Sequence, residues 1–248
     1  SSCSKLTRQR ELNTIQHWVK WMLKEEVVHP KLSQLVVPKE KIGEEDLTAN
    51  PAIGPKDWDL ITKTIREWKD KGVDHPRKGV HYYRTLFHTF CLVMKNTGCR
   101  PSELRLLQWR DIEVLPLTDE EEELRRLGKM NSKLTDKVAT AYIFIKKSKT
   151  RSQREVPARV GRELRRWRDY IKGYATEANL RSCLTLDSYV FGNPNNEWRP
   201  YCRNVFSNTW HQDIINPLAG QLRGHKMSDK NYTLYGMRST YIEDNLLQ

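Results

Sequence analysis

The sequence predicts a mainly α-helical fold with a small antiparallel β-sheet, an α+β fold. Apolar residues recur at helical spacing along much of the chain, and residues 80–96 are apolar on nearly every side. Residues 110–116 and 139–157 favour extended strands, the second stretch being interrupted by a polar turn. The chain's 248 residues are enough to bury a core, as one domain or as two unequal ones.

The first part of the chain predicts two amphipathic helices separated by a linker. Residues 5–28 place their apolar side chains on one helical stripe. Residues 29–56 contain four prolines and two glycines, which interrupt helical periodicity. We therefore expect a linker over 31–54 and a main domain over 55–248, whose first helix carries two tryptophans and two isoleucines on one face.

The apolar segment 80–96 predicts a buried helix followed by a sharp turn. Gly98 suits the left-handed turn that ends many helices, and Pro101 suits the first turn of the next helix. Arg100 is therefore expected at a helix N-terminus, where free amide groups and the helix dipole favour an anion.

The rest of the chain predicts strands and then further helices. An acidic insertion at 117–137 separates the two extended stretches, and we expect it to be a solvated face, either helical or mobile. Residues 158–180 predict a basic helix, and a last helix is predicted from Tyr235 to the end. The strands should pair with each other as a small antiparallel sheet.

The charge balance favours a polyanionic partner. The chain has 43 Lys and Arg residues and 31 Asp and Glu residues, a formal net charge of +12. Residues 146–172 include eleven basic residues and three acidic ones, and this excess of positive charge favours a surface that binds a nucleic-acid backbone. The side chains expected to contact that backbone are Lys146, Lys147, Arg151, Arg154, Arg162, Arg165 and Arg166.

Several functional classes are disfavoured by what the sequence lacks. It contains no apolar run of membrane-spanning length and no apolar stretch behind its first residues, so neither a membrane span nor a secretory signal is expected. Its five cysteines are scattered without a CxxC pair, which favours a reducing compartment. Its seven histidines show no metal-ligand spacing, so neither a metal nor a cofactor is expected.

Two short motifs each place one arginine at the edge of an apolar helix. Arg100 belongs to the motif at 97–104, and Arg238 belongs to the motif Tyr-Gly-Met-Arg-Ser-Thr-Tyr at 235–241. Between them, a basic segment contains Lys149 in a Ser-Lys-Thr pattern. Guanidinium groups bind phosphate oxygens bidentately and stay charged, so two arginines and a lysine brought together form a pocket for one phosphate.

These motifs resemble those of the tyrosine recombinase, or phage integrase, family. Gly98 to Leu104 and the following Trp-Arg-Asp-Ile are similar to its first arginine box, and Tyr235-x-x-Arg238 resembles its His-x-x-Arg box. Lys149 resembles the lysine of its β-hairpin. Residues 1–30 resemble the last helix of its core-binding domain, and residues 55–248 resemble its catalytic domain.

The resemblance implies a site-specific DNA recombinase that cuts and rejoins DNA through a 3′-phosphotyrosyl intermediate without metal or cofactor. It implies double-stranded DNA as the partner, a homotetramer on two DNA sites, and the cytoplasm of a bacterial cell, associated with the nucleoid when bound. Such enzymes are typical of phages and mobile elements. The residues implied at the catalytic site are Arg100, Lys149, Arg238, Tyr235 and Glu103.

Alternatives remain open for some of these roles. Lys146 or Lys147 is an alternative to Lys149 as the general acid that protonates the leaving oxygen. Glu103 is expected either to hold Arg100 or simply to be a first-turn acid that the helix dipole favours. Tyr235 is expected to donate a hydrogen bond to phosphate or to pack.

The sequence departs from the family pattern at several points, and the insertion at 117–137 is also longer than is usual in the family. Tyr235 and Ser239 occupy positions where the family has histidines. The nucleophilic tyrosine is expected a few tens of residues after Arg238, outside this sequence, and Tyr241 is expected to be a packing residue. His225 precedes Arg238 and is expected to lie in a loop. Two other functions therefore stay open, namely a non-catalytic DNA-binding module with the recombinase fold and an RNA-binding protein.

Overall fold

The computed structural model describes residues 5–30, 50–146, 153–180, 184–222 and 232–246. The chain divides into two compact units, Ser1–Ala49 and Asn50–Gln248. Four of the residues singled out from the sequence lie outside the described residues, namely Lys147, Lys149, Arg151 and His225.

The first unit contains one described helix, α1 (Lys5–Lys24). The predicted stripe is present only in part, since Leu12, Val19 and Met22 are half-buried but Ile15 is 49% exposed, and none of the helix's described side chains is fully buried. Trp18 is 61% exposed. In the described part of the first unit, α1 therefore has a half-buried face but no fully buried side chain.

The second unit is built mainly of helices with a small antiparallel sheet, as the sequence predicts. Its described helices are α2 (Pro55–Asp70), α3 (Lys78–Thr97), α4 (Pro101–Arg105), α5 (Asp119–Arg126), α6 (Ser132–Ala139), α7 (Gly161–Glu177), α8 (Arg203–Thr209), α9 (Asn216–Leu218) and α10 (Leu234–Leu246). A π-helical turn (Trp210–Ile215) joins α8 to α9. The strands are β1 (Ile112–Val114), β2 (Ala141–Ile145), β3 (Arg154–Ala158), β4 (Gly192–Asn193) and β5 (Arg199–Pro200). None of the helices among the described residues combines the length and apolarity that crossing a membrane requires.

The larger sheet has the order β1-β2-β3, and both pairings are antiparallel. Ile143 in the middle strand lies opposite Ile112 on one side and Val156 on the other. Alternate residues of β2 are buried, as expected for a strand with one face on the core. The first strand is shorter than the predicted 110–116, because a 3₁₀ turn precedes it in which the Asp111 carboxylate accepts the Gln108 backbone N–H.

Helix α3 is the centre of the core, as its apolar sequence predicts. Tyr82, Leu86, Phe87 and Phe90 are all completely buried. The ring of Phe90 stacks on Phe206 of α8 at a centroid distance of 4.4 Å. Burying each such side chain contributes about 2 kcal/mol, so α3 organises the elements around it.

Helix α10 is fastened by the first residues of the second unit. The Ile53 backbone N–H donates to Thr240 Oγ1 at 2.8 Å, and Thr233 Oγ1 donates to Asn50 Oδ1 at 2.6 Å. Residues 50–54 thus pack on α10 as a strap. The compact unit accordingly begins at Asn50, before the expected boundary at residue 55, because α10 supplies hydrogen-bond partners that the sequence pattern does not reveal.

The acidic insertion forms two helices, α5 and α6. The Thr118 side chain accepts the Glu121 backbone N–H and caps α5, which has no buried residue and is the solvated face that was expected. Helix α6 differs, since it buries Leu134 and Val138 and contacts α7. The second half of the insertion therefore packs on the core through an apolar face. This face was not predicted, because the run of acidic residues before it dominates the sequence of the insertion.

Candidate functional site

The first arginine motif folds into a turn closed by its own side chains. Arg100 has extended backbone geometry (ψ 147°) and immediately precedes α4. Its backbone N–H donates to Glu103 Oε2 at 2.8 Å, and its Nη1 donates to Glu103 Oε1 at 2.9 Å. The predicted position at a helix N-terminus is confirmed, and the anion that occupies that position is Glu103 itself.

A second arginine reaches the same carboxylate from the sheet. Arg154, the first residue of β3, donates from Nη2 to Glu103 Oε2 at 2.7 Å and from Nη1 to Oε1 at 3.2 Å. The Glu103 side chain is only 2% exposed, whereas those of Arg100 and Arg154 are 23% and 31% exposed. One buried carboxylate therefore orients two half-exposed guanidinium groups, and the three groups together keep one net positive charge.

Glu103 stays ionised in this setting. Burial by itself would raise the pKa of the carboxyl, but the hydrogen bonds from Arg154 and Arg100 outweigh that effect and hold the pKa below its ordinary value. The same hydrogen bond to Glu103 raises the pKa of Arg154. The carboxylate is thus a fixed counter-charge at neutral pH, and its role is to position the arginines.

The second arginine motif meets the first at Gly98. The Arg238 Nη1 on α10 donates to the Gly98 carbonyl oxygen, although the two residues are 140 positions apart. Gly98 ends α3 in the left-handed region (φ 60°), as predicted, and a Cβ there would lie 2.3 Å from Cδ1 of Tyr241. Tyr241 is therefore a packing residue, as expected, and Arg238 lies against the loop that leads into Arg100.

The hairpin lysine is not among the described residues, but the residues on either side of its segment are. Ile145 and Arg154 form the last described pair of β2 and β3. Lys146 pairs with Asp111, whose side chain is 7% exposed, and Arg154 pairs with Glu103. The chain therefore leaves and re-enters the sheet beside the first arginine motif, and the position of Lys149 stays a prediction.

The residues expected to contact a nucleic-acid backbone are placed unequally. Arg166 on α7 is exposed, whereas Arg162 and Arg165 on the same helix are half-buried. Arg165 donates to the Leu115 carbonyl oxygen, and burial, followed by the nearby Arg125, lowers its pKa. Arg154 and Lys146 are held by carboxylates, so among the described members of this set Arg166 is the one that is exposed without a described carboxylate partner.

Tyr235 makes none of the described hydrogen bonds of the Glu103 network and lines a neighbouring cleft of about 310 Å³. Its side chain is 39% exposed. The cleft also contains Arg105, Arg203 and His211, which the sequence did not single out. The sequence could have indicated Arg105, because it is three residues after Ser102 on α4 and this spacing places both side chains on one helix face. No local sequence pattern indicates that Arg203 and His211 belong to the same cleft.

Among the described residues, no group of three or more His, Cys, Asp or Glu side chains is arranged to hold a metal ion. A scan against models of protein families found no match for this chain, and searches of curated proteins and of solved structures also found none. The chemistry of the site therefore has to be inferred from its own groups, which are guanidinium donors preorganised by a carboxylate and by backbone carbonyls.

Proposed function

We propose that this chain belongs to a site-specific tyrosine recombinase that cuts and rejoins double-stranded DNA through a 3′-phosphotyrosyl intermediate. The observation that carries the proposal is the meeting of the two arginine motifs, in which Arg238 contacts the Gly98 carbonyl two residues before Arg100. Arginines from two remote segments then approach one region, which suits recognition of both non-bridging oxygens of a phosphodiester.

In the proposed reaction, a tyrosine hydroxyl releases its proton to solvent as its oxygen bonds to phosphorus, while the bond from phosphorus to the 5′ oxygen breaks. The leaving oxygen takes a proton from Lys149, and the reverse steps rejoin the strand. Arg100 and Arg238 bind the non-bridging oxygens, whose charge grows in the pentavalent transition state, so they stabilise that state more than the ground state. The resemblance places the tyrosine nucleophile a few tens of residues after Arg238.

Glu103 supports this chemistry without contacting DNA. Its carboxylate is buried and negative, so it cannot approach a phosphate, but it fixes Arg100 and Arg154 before the substrate arrives. Preorganisation of this kind lowers the cost of orienting charges during the reaction. Tyr235, which lines the neighbouring cleft and is 39% exposed, is available to donate a hydrogen bond to the same strand.

The proposed substrate surface extends over the basic side of the chain. Arg166 and Arg162 on α7 offer further contacts to the DNA backbone, with Lys147 and Arg151 as additional candidates from sequence. As part of the proposal, four protomers act on two DNA sites in the cytoplasm of a bacterial cell, where the bound enzyme is associated with the nucleoid. The high net positive charge supports a polyanionic substrate.

The test uses the full-length protein and begins by selecting its binding site from a pool of random duplexes. The selected duplex, labelled at the 5′ end of one strand, is incubated with the protein in the presence of EDTA. We expect a labelled species that migrates with the protein in denaturing gels and is released by protease. Cleavage that requires magnesium and leaves no protein on the DNA would contradict the proposal.

A second candidate is a DNA-binding module that keeps the fold without catalysis. The Arg100–Glu103–Arg154 network favours it, because the Glu103 carboxylate already pairs with both arginines in the absence of a phosphate. Such a module protects the selected duplex from nuclease but never becomes attached to it, even when the duplex contains a nick that traps covalent intermediates. The same gel assay therefore separates the two candidates.

A further inference from the structure

The cleft beside Tyr235 has a composition that sets it apart from the Glu103 network. It lies between α4, α8, the π-helical turn and the start of α10, with a volume of about 310 Å³. Three of its lining side chains are basic, namely Arg105, Arg203 and His211. Others carry hydroxyl groups, and among the described residues no carboxylate lines it.

The basic groups of the cleft lack the counter-charges found elsewhere. Arg154 and Lys146 each pair with a carboxylate, but no described carboxylate forms an ion pair with Arg105, Arg203 or His211. The Arg105 Nη1 donates to the Tyr201 carbonyl at 3.0 Å, while its Nε is buried without a hydrogen-bond partner in the described part of the chain. A buried donor of this kind carries an energetic cost unless a ligand or water satisfies it.

One side of the cleft is formed by a turn that buried contacts anchor. His211 belongs to the π-helical turn, a rare conformation that is frequent at functional sites. The turn is anchored by Trp210, which is fully buried and donates from Nε1 to the Tyr232 carbonyl at 2.7 Å. At the preceding residue, Thr209 Oγ1 lies 2.7 Å from the Tyr83 hydroxyl. The imidazole is thus presented from a fixed piece of backbone.

We infer that this cleft is a second anion site, which binds a phosphate group between Arg105, Arg203 and His211. Its chemistry is that of a phosphate oxyanion, contacted by guanidinium and imidazole donors and by hydroxyl groups. The source assigned to that phosphate is the DNA backbone next to the bond that is cut, and this assignment rests on the proposed function. Free inorganic phosphate has the same chemistry and is separated from DNA by experiment.

The first arm of the test measures binding of inorganic phosphate by calorimetry. The variant carries Arg203→Gln and His211→Gln, both on side chains without a described ion pair, so folding should be preserved, and unfolding in urea checks this. The control is Arg199→Gln, an exposed arginine that pairs with Glu197 outside the cleft. We expect phosphate affinity to fall about tenfold or more in the double variant and to stay unchanged in the control.

The second arm measures affinity for a duplex of the selected sequence as a function of salt. If the phosphate comes from DNA, the double variant loses affinity and its salt dependence flattens by about one phosphate contact. Loss of phosphate binding with unaltered DNA affinity supports the anion site with free phosphate as its source. Equal phosphate and DNA binding in the wild type and the folded double variant overturns the inference.

The outcome for this cleft is distinguishable from failure of the proposed function. Covalent attachment to DNA by the wild-type protein in EDTA tests the recombinase proposal and does not depend on whether the cleft binds phosphate. Conversely, a protein that never attaches to DNA still reports on the cleft through calorimetry with inorganic phosphate. A folded wild-type protein that binds neither phosphate nor DNA contradicts the anion site directly.

Discussion

At the scale of single residues, Glu103 organises the candidate site. Its two carboxylate oxygens accept four hydrogen bonds from described groups, one from the Arg100 backbone, one from the Arg100 side chain and two from Arg154. Its role in holding Arg100 was one of two possibilities that the sequence left open. The bond from Arg154 was not foreseen, because it joins residues that are 51 positions apart.

We expect Glu103→Gln to destabilise the fold by about 2 kcal/mol at pH 7, because a neutral amide leaves two guanidinium groups without their counter-charge. The folded pKa of Glu103 lies below its ordinary value of 4.5, so its stabilisation is complete above that pH and is lost as the pH falls through the folded pKa. The difference between wild type and variant should therefore shrink in acid.

The measurement is urea unfolding of both proteins at pH 7 and at a pH below 4, with Glu67→Gln as the control. The Glu67 side chain is 58% exposed, and its Oε1 lies 3.9 Å from Lys63 Nζ. Removal of this surface ion pair should lower the free energy of unfolding by less than about 0.5 kcal/mol. A difference between wild type and Glu103→Gln that grows toward low pH would show that the carboxylate is not held in its charged form.

Arg100→Ala and Arg238→Ala are each expected to slow covalent attachment to DNA about 100-fold or more, because each removes a donor to the transition-state phosphate. Single-turnover rates on the selected duplex measure the effect, and Lys63→Ala, on the exposed face of α2, is the control. Near-normal rates in both folded arginine variants would place the phosphate elsewhere.

At the scale of elements, the helices and strands of the second unit follow closely from periodicity. Helix α3, the strands β2 and β3 and the turn at Gly98 are where the sequence predicts them, because burial patterns of period 3.6 or 2 are local properties. The π-helical turn was not predicted, because its one extra residue per turn leaves no clear signature in apolar spacing. The packing of α6 was hidden by the charges that precede it.

Because α10 packs on the end of α3, we expect two glycine-to-alanine variants to differ in their free energy of unfolding. Gly98 and Gly128 both have positive φ, 60° and 70°, but a Cβ at Gly98 would collide with Tyr241 while one at Gly128 would meet nothing within 4 Å. Gly128→Ala should therefore cost about 1 kcal/mol from backbone conformation alone, and Gly98→Ala clearly more. Urea unfolding of both variants measures the difference, and equal losses would mean that Tyr241 does not pack on this turn.

At the scale of the whole molecule, the charge excess predicted a polyanion-binding surface, and the sequence named Arg162, Arg165 and Arg166 of α7 alike as its contacts. Neighbouring positions on α7 differ sharply, since Arg166 is exposed whereas Arg165 donates to the Leu115 carbonyl. Helical periodicity alone does not separate these roles, because the partner of Arg165 comes from the segment after β1. The approach of Arg238 to the Arg100 loop was anticipated only through the family resemblance.

Arg166→Ala and Arg165→Ala form a matched pair that tests this distinction. Arg166→Ala should reduce the slope of log DNA affinity against log salt by about one and leave stability unchanged. Arg165→Ala should instead lower the free energy of unfolding by about 1 kcal/mol or more, since it removes a half-buried hydrogen bond. Reversal of the two effects would show that Arg165 faces the DNA.

The strap at 50–54 affects the choice of the first residue for a shorter expressed fragment of this protein. Residues Asn50 and Ile53 bond to the segment and helix that carry Arg238, so they belong to the architecture of the site although they precede its first helix. An expression boundary chosen at Pro55, where helical periodicity begins, removes that fastening. A boundary at or before Asn50 retains it, and with it the helix that positions the second arginine.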